Sequence, residues 1–99
     1  MVEIKTFSGG LNPEASFYIQ SKGNNAGRPL DEPLANCFEV VCDERVLLGK
    51  YFYYVCLNAY NLGKFKPYIK GSVIPYITKK DVMKVLNIYE VEITVTLKQ

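Results

Sequence analysis

Val2, Ile4 and Thr6 recur at every second position, which predicts a first strand over Val2–Phe7, ended by the Ser8-Gly9-Gly10 breaker and a loop through Pro13. Phe17–Ser21 reads as a second strand. From Lys22 to Asn36 no amphipathic period survives: the fifteen residues include two glycines, two prolines and three asparagines, and they read as one long loop. Cys37–Cys42 is an apolar run broken only by Glu39, the pattern of a central strand, and Asp43-Glu44-Arg45 closes it.

The period then changes from two to three and four. Leu48, Phe52, Val55, Cys56, Ala59 and Tyr60 share one helical face, and the spacing predicts a helix over Val46–Gly63 with Gly63 as its stop signal. Tyr53, Tyr54 and Leu57 lie on other faces, so the helix is apolar nearly all round. Such a helix is expected to be covered on two sides, by the rest of the fold or by a second copy of the chain, which makes a homodimer through Val46–Gly63 the corresponding partner expectation. Lys64–Lys70 is expected to add a short helical turn. Gly71, Pro75 and the β-branched residues exclude a long helix over Gly71–Ile77. Thr78 reads as the N-cap of a helix over Lys79–Leu86, with Asp81 in the first turn where its charge complements the helix dipole. At the end, Tyr89, Val91, Ile93, Val95 and Leu97 alternate with polar positions and predict a strand over Ile88–Leu97. This order of elements predicts one α+β domain spanning residues 1–99, with a mixed or mostly antiparallel sheet covered by a helical hairpin.

With 99 residues there is room for a single core of modest stability. No apolar stretch approaches the ~20 residues needed to cross a bilayer, and Met1–Thr6 carries charges where a signal peptide has an apolar block, so a soluble, cytoplasmic protein is expected. Cys37, Cys42 and Cys56 are odd in number and lack zinc-site spacing; they read as buried thiols, with no metal expected. The chain has no histidine, which removes the usual general base and the usual partner of a Ser or Cys nucleophile. Asp31 with Glu32 and Asp43 with Glu44 are adjacent in turn-like sequence and read as solvated residues, not a positioned pair. Neither an enzyme nor a cofactor is expected.

The formal charge of +2 conceals a division along the chain. Residues 1–45 hold four cationic against seven acidic side chains, a net of −3, whereas residues 46–99 hold eight against three, a net of +5. Lys64, Lys66, Lys70, Lys79, Lys80 and Lys84 fall close together, interleaved with Phe65, Tyr68 and Tyr76 and opposed only by Asp81. Basic residues with aromatics and glycines suit a phosphate backbone, although lysine-rich faces are more often simply solvated. The segment Lys22-Gly23-Asn24-Asn25-Ala26-Gly27-Arg28 also offers backbone N–H groups and charge. It does not match a P-loop, and nothing after Arg28 opens a helix, so a structural turn is the reading there.

Several segments together are similar to a known family. The glycine-containing loop from Ser21 to Gly27, an apolar strand, the aromatic helix Lys50-Tyr51-Phe52-Tyr53-Tyr54-Val55, and the segment Gly71-Ser72-Val73-Ile74-Pro75-Tyr76-Ile77-Thr78-Lys79-Lys80-Asp81-Val82 resemble a target-recognition domain from the DNA-specificity subunit of type I restriction-modification systems. The same features resemble small proteins of Bacteroidetes-type bacteria for which no activity is established. The resemblance spans about residues 17–88 and implies a domain that reads duplex DNA. Gly71, Ser72 and Lys79 match the family's motif, and Lys22 and Arg28 fall in its earlier variable loop. The tail Tyr89–Leu97 departs from the family, which continues into a proline-containing segment and a long spacer helix.

Two functional expectations follow. In the first the protein is a small non-enzymatic DNA-binding module, with Lys22, Arg28, Lys64, Lys66, Lys70, Lys79 and Lys80 on phosphates and Ser72, Tyr76 or Asn24 and Asn25 at base edges. In the second it is a protein-interaction or structural domain of the same fold, in which Gly71–Pro75 is a buried turn with Ile74 and Ile77 in the core. The first requires the basic residues to share one surface.

Overall fold

The computed structural model describes residues 2–10, 12–43 and 49–86. The strand predicted over Ile88–Leu97 and the start of the predicted helix at Val46–Leu48 lie outside the described residues.

Among the described residues, four strands, β1 (Val2–Thr6), β2 (Phe17–Gln20), β3 (Pro29–Leu30) and β4 (Cys37–Cys42), form one sheet in the order β1-β4-β2-β3. Every neighbouring pair is antiparallel. β4 is the most apolar strand and is paired on both sides, as the run Cys37–Cys42 predicts. The register Val2↔Cys42, Ile4↔Val40 and Thr6↔Phe38, continued by Phe17↔Val40 and Ile19↔Phe38, places Val2, Ile4, Phe17, Ile19, Phe38, Val40 and Cys42 on a single face. All seven are buried in one core cluster.

Two helices cover that face, α1 (Gly49–Asn61) and α2 (Lys79–Val85), giving the α+β class expected from the periodicities. Phe52, Cys56 and Ala59 point from α1 into the core and Val82 from α2, joined by Ile77 and Phe65 from the connection between them. The Phe17 ring meets the Tyr53 ring edge-on at 5.4 Å and the Phe52 ring at 6.0 Å. α1 ends as Gly63 suggests: Gly63 has φ +74°, its N–H donates to the Tyr60 carbonyl, and the Lys64 N–H reaches back to the Ala59 carbonyl. A single 3-10 turn, Lys66–Tyr68, follows. Thr78 caps α2 as its sequence position predicts, its hydroxyl accepting from the Asp81 N–H at 3.2 Å.

The long loop predicted over Lys22–Asn36 is divided in the structure by β3, which pairs Pro29 with Ile19 and Leu30 with Tyr18. A proline lacks the N–H of an ordinary ladder residue and is tolerated at a sheet edge, which is where β3 lies among the described residues; two residues with a proline leave no periodic signal. On the face of the sheet away from the helices, Tyr18 opposes Glu39, and both are buried. The Glu39 carboxylate accepts from the Asn12 side-chain amide at 3.0 Å, and burial, with the charge of Glu39, raises the Tyr18 hydroxyl above its ordinary range. All three cysteines are buried; burial pushes the Cys56 thiol up to about 12 and raises Cys37 as well, which suppresses their thiolates.

Candidate functional site

The site is assembled from two loops far apart in the chain. The first is the turn that joins β2 to β3. The Gln20 N–H donates to the Arg28 carbonyl at 2.9 Å and the Gly27 N–H to the Gln20 carbonyl at 2.8 Å, so the chain must reverse within Ser21–Gly27. Gly23 and Gly27 make the reversal with φ +100° and +97°, values that a residue with a Cβ rarely adopts. The Tyr60 hydroxyl donates to the Asn25 side-chain oxygen at 3.1 Å, anchoring the turn to α1.

The second is the loop Gly71–Pro75. Lys70 and Tyr76 exchange reciprocal backbone hydrogen bonds of 2.9 Å, closing the loop at its base. Gly71 has φ +93°, and a Cβ there would lie 2.5 Å from the Ile74 carbonyl oxygen, so only glycine allows this closure. Backbone bonds also join the two loops: the Gly23 N–H donates to the Pro75 carbonyl at 2.8 Å and the Ile77 N–H to the Ser21 carbonyl at 2.9 Å. Lys22 is thereby bridged to Tyr76.

This junction borders a groove of about 350 Å³ lined by Ser21, Lys22, Asn36, Tyr76, Thr78 and Lys79, among others. Of the residues selected from sequence, Lys22, Tyr76 and Lys79 therefore meet at one groove. Ser72 is exposed on the loop above it, and Lys80 is exposed beside Lys79. Lys66 lines a different depression of about 250 Å³, with Asn24, Tyr60 and Phe65. Arg28 and Lys64 are exposed and line neither.

Lys70 is engaged elsewhere. Its ammonium forms an ion pair with the Asp81 carboxylate and donates to the Tyr68 carbonyl at 3.1 Å. The hydrogen bond from Lys70 holds the Asp81 carboxyl below the ordinary carboxylate range; burial opposes this and Thr78 assists it. Lys70 and Asp81 are thus a locally neutral pair at the base of the loop, and Lys70 is a poor candidate for a phosphate contact. The Lys84 ammonium sits 5.8 Å from the centroid of the Tyr68 ring.

Two apolar positions each bear on one of the two sequence expectations. Phe65, read among the aromatics interleaved with surface lysines, is 1% exposed and belongs to the core. Ile74, read as core on the buried-turn alternative, is 63% exposed, and Val73 beside it is 89% exposed; of that group only Ile77 is inside. Sequence reasoning missed Val73 and Ile74 as surface features. The available signal was two β-branched apolar residues enclosed between Gly71-Ser72 and Pro75, where neither a helix nor a strand can carry them inward.

A further apolar surface runs along α1. Tyr51, Tyr54 and Val55 on the helix and Leu62 in the turn after it are exposed, with the exposed Asn58 among them, to one side of the buried stripe of Phe52, Cys56 and Ala59. Val55, grouped with the buried positions on periodicity, lies on this outer face. Among the described residues, no helix is long and apolar enough to cross a membrane, and no cluster of metal-ligating residues is present.

Residues 4–98 match a protein family described as a family of unknown function (DUF6943), and the chain belongs to that family. No curated protein and no solved structure matches it.

Proposed function

We propose that this DUF6943 member is a small non-catalytic DNA-binding module that meets duplex DNA at the junction of the Ser21–Gly27 and Gly71–Pro75 loops. The observation that carries the reading is the backbone pairing of Ser21–Gly23 with Pro75–Ile77, which brings Lys22, Tyr76 and Lys79 to one groove. Lys22 belongs to the acidic half of the chain and Lys79 to the basic half, so a shared basic surface needs this fold. Lysines neutralise phosphates and release counterions, while the hydroxyls of Ser21, Thr78 and Tyr76 and the amide of Asn36 supply donors and acceptors for phosphate, sugar or base edges. Lys79 and Lys80 stand in the first turn of α2, where positive charge is unfavourable to the helix dipole, so helix stability does not account for them.

Fluorescence anisotropy against a random-sequence duplex tests the proposal. Three phosphate contacts, from Lys22, Lys79 and Lys80, correspond to a log–log salt slope of about −3 and a loss of roughly 40-fold in affinity between about 50 and 200 mM salt. Lys22→Glu/Lys79→Glu is expected to weaken binding by at least about tenfold and to bring the slope toward about −1. Absence of binding at low salt, or a variant that binds as tightly as wild type, overturns the proposal.

The outer face of α1 favours a second, compatible reading as a self-association surface. Four exposed apolar or aromatic side chains, on and just after a helix whose single charged residue is Lys50 in its first turn, give a two-fold copy an apolar surface to cover. In sedimentation velocity the protein is expected to dimerise at tens of micromolar, and Tyr54→Lys/Leu62→Lys to remain monomeric. Wild type that stays monomeric at several hundred micromolar removes this reading. A dimer would also double the phosphate contacts and steepen the salt slope measured above.

A further inference from the structure

A loop tip is ordinarily polar, because its side chains have little to pack against and its backbone faces water. In Gly71–Pro75 the tip is Val73-Ile74, two β-branched hydrocarbons with no hydrogen-bonding atoms, 89% and 63% exposed. Resting on the DNA-binding reading above, we infer that Val73 and Ile74 form an apolar wedge that enters the minor groove, partly unstacks one base step and bends the duplex.

Three observations carry this. The loop is held out from the body: Lys70 and Tyr76 close its base with paired backbone bonds, Pro75 restricts one arm, and the bonds to Ser21 and Gly23 fix the base to the sheet side of the molecule. Gly71 confirms how little freedom remains, since any Cβ there would collide with the Ile74 carbonyl. The tip therefore has no short route by which to fold its hydrocarbon back onto the core. Its reach also fits. Ser72–Ile74 bend back over the Lys70–Tyr76 pair, so about two residues at ~3.3 Å each set an upper limit of about 7 Å on the backbone reach, to which the Val73 and Ile74 side chains add, against the ~7.5 Å depth of the minor groove.

Charge at the base selects the occupant. Lys22 is bridged to Tyr76 and Lys79 lines the adjoining groove, so cations flank the foot of an apolar tip whose own lysine, Lys70, is neutralised by Asp81. Anionic membranes offer the same combination of apolar interior and negative surface. However, Val and Ile together hold fewer side-chain carbons than one myristoyl chain, which alone binds membranes only marginally. A wedge needs to offset the unstacking of a single step, a task that one or two apolar side chains perform in minor-groove proteins. Pyrimidine–purine steps such as TA and CA unstack most easily, so the wedge is expected to prefer them.

The test uses the full chain and a short duplex carrying 2-aminopurine beside a central TA step, with donor and acceptor dyes at its ends. Binding of wild type is expected to brighten the 2-aminopurine and shorten the end-to-end distance, as a bend within roughly 20–90° requires. Val73→Ser/Ile74→Ser, both at exposed positions and checked for folding by circular dichroism, is expected to bind about tenfold more weakly, without brightening or bending, while its salt slope is unchanged. Wild type that binds without brightening or bending, or a variant that retains both, overturns the wedge and leaves DNA binding intact. Wild type that binds no duplex at low salt overturns both readings, and co-sedimentation with phosphatidylserine vesicles in that case would assign the tip to a membrane.

Discussion

Gly27→Ala is expected to destabilise the protein by about 2–5 kcal/mol, a large share of the roughly 5–15 kcal/mol that holds a domain together. Two independent costs combine. Gly27 has φ +97°, a region that costs a residue with a Cβ roughly 1–2 kcal/mol. The added Cβ would also lie 2.8 Å from Cγ of Phe65 and 3.0 Å from its Cβ and Cδ2, and crowding of this kind in a packed core costs about 1–3 kcal/mol. Phe65 is 1% exposed and cannot swing away into solvent. For a chain of this length the loss corresponds to a fall in melting temperature of at least roughly 10 °C. Urea unfolding followed by circular dichroism measures it, with Gly9→Ala as the control. Gly9 also has positive φ, but a Cβ there meets nothing within 4 Å, so that variant should lose only the backbone contribution. Equal losses at the two positions would show that the contact with Phe65 yields without cost.

Phe65→Ala is expected to cost about 3–5 kcal/mol, the range for removing a large aromatic side chain from a packed interior. Phe65 sits between the end of α1 and the 3-10 turn, so its ring fixes the connection that leads to Lys70 and the exposed loop. The same geometry makes the two substitutions interdependent. With the ring removed, the Cβ of Gly27→Ala loses its 2.8 Å and 3.0 Å contacts with Cγ and Cδ2, keeps only the 3.0 Å approach to the Cβ that alanine retains at position 65, and can shift into the vacated space. The double variant should therefore be more stable than the sum of the single losses implies, by at least about 1 kcal/mol. Additive losses in a four-member urea cycle would remove the contact with the Phe65 ring as the cause.

These expectations separate what was legible along the chain from what was not. The three longer strands could be read, and in β1 the alternation of Val2 and Ile4 also marks the inward face, whereas in the continuous apolar runs of β2 and β4 the inward positions come only from the register. The body of α1, its glycine stop and the Thr78 cap could be read as well, since each rests on residues within one or two helical turns of one another. β3 could not, because a two-residue edge strand containing Pro29 has no period. The burial of Phe65 and the exposure of Ile74 could not be read for a similar reason: both stand in irregular segments, where no periodicity tells an inward position from an outward one. Lys70 was legible as a cation, but its neutralisation depends on Asp81, eleven residues further along and on a different element.

The amino-acid sequence by itself determined the α+β class, the positions of the central strand and two helices, the helix caps and the uneven division of charge, because periodicity, capping and composition are properties of neighbouring residues. Only the tertiary structure decided that Ser21–Gly23 pairs with Pro75–Ile77, that Lys22 and Lys79 therefore share a groove, and that Val73 and Ile74 stand outside the core. Those bonds are made by backbone N–H and carbonyl groups that nearly every residue carries, so no side chain records the partner. The pairing arises when the sheet and helices, in burying their apolar faces, bring the two distant loops together.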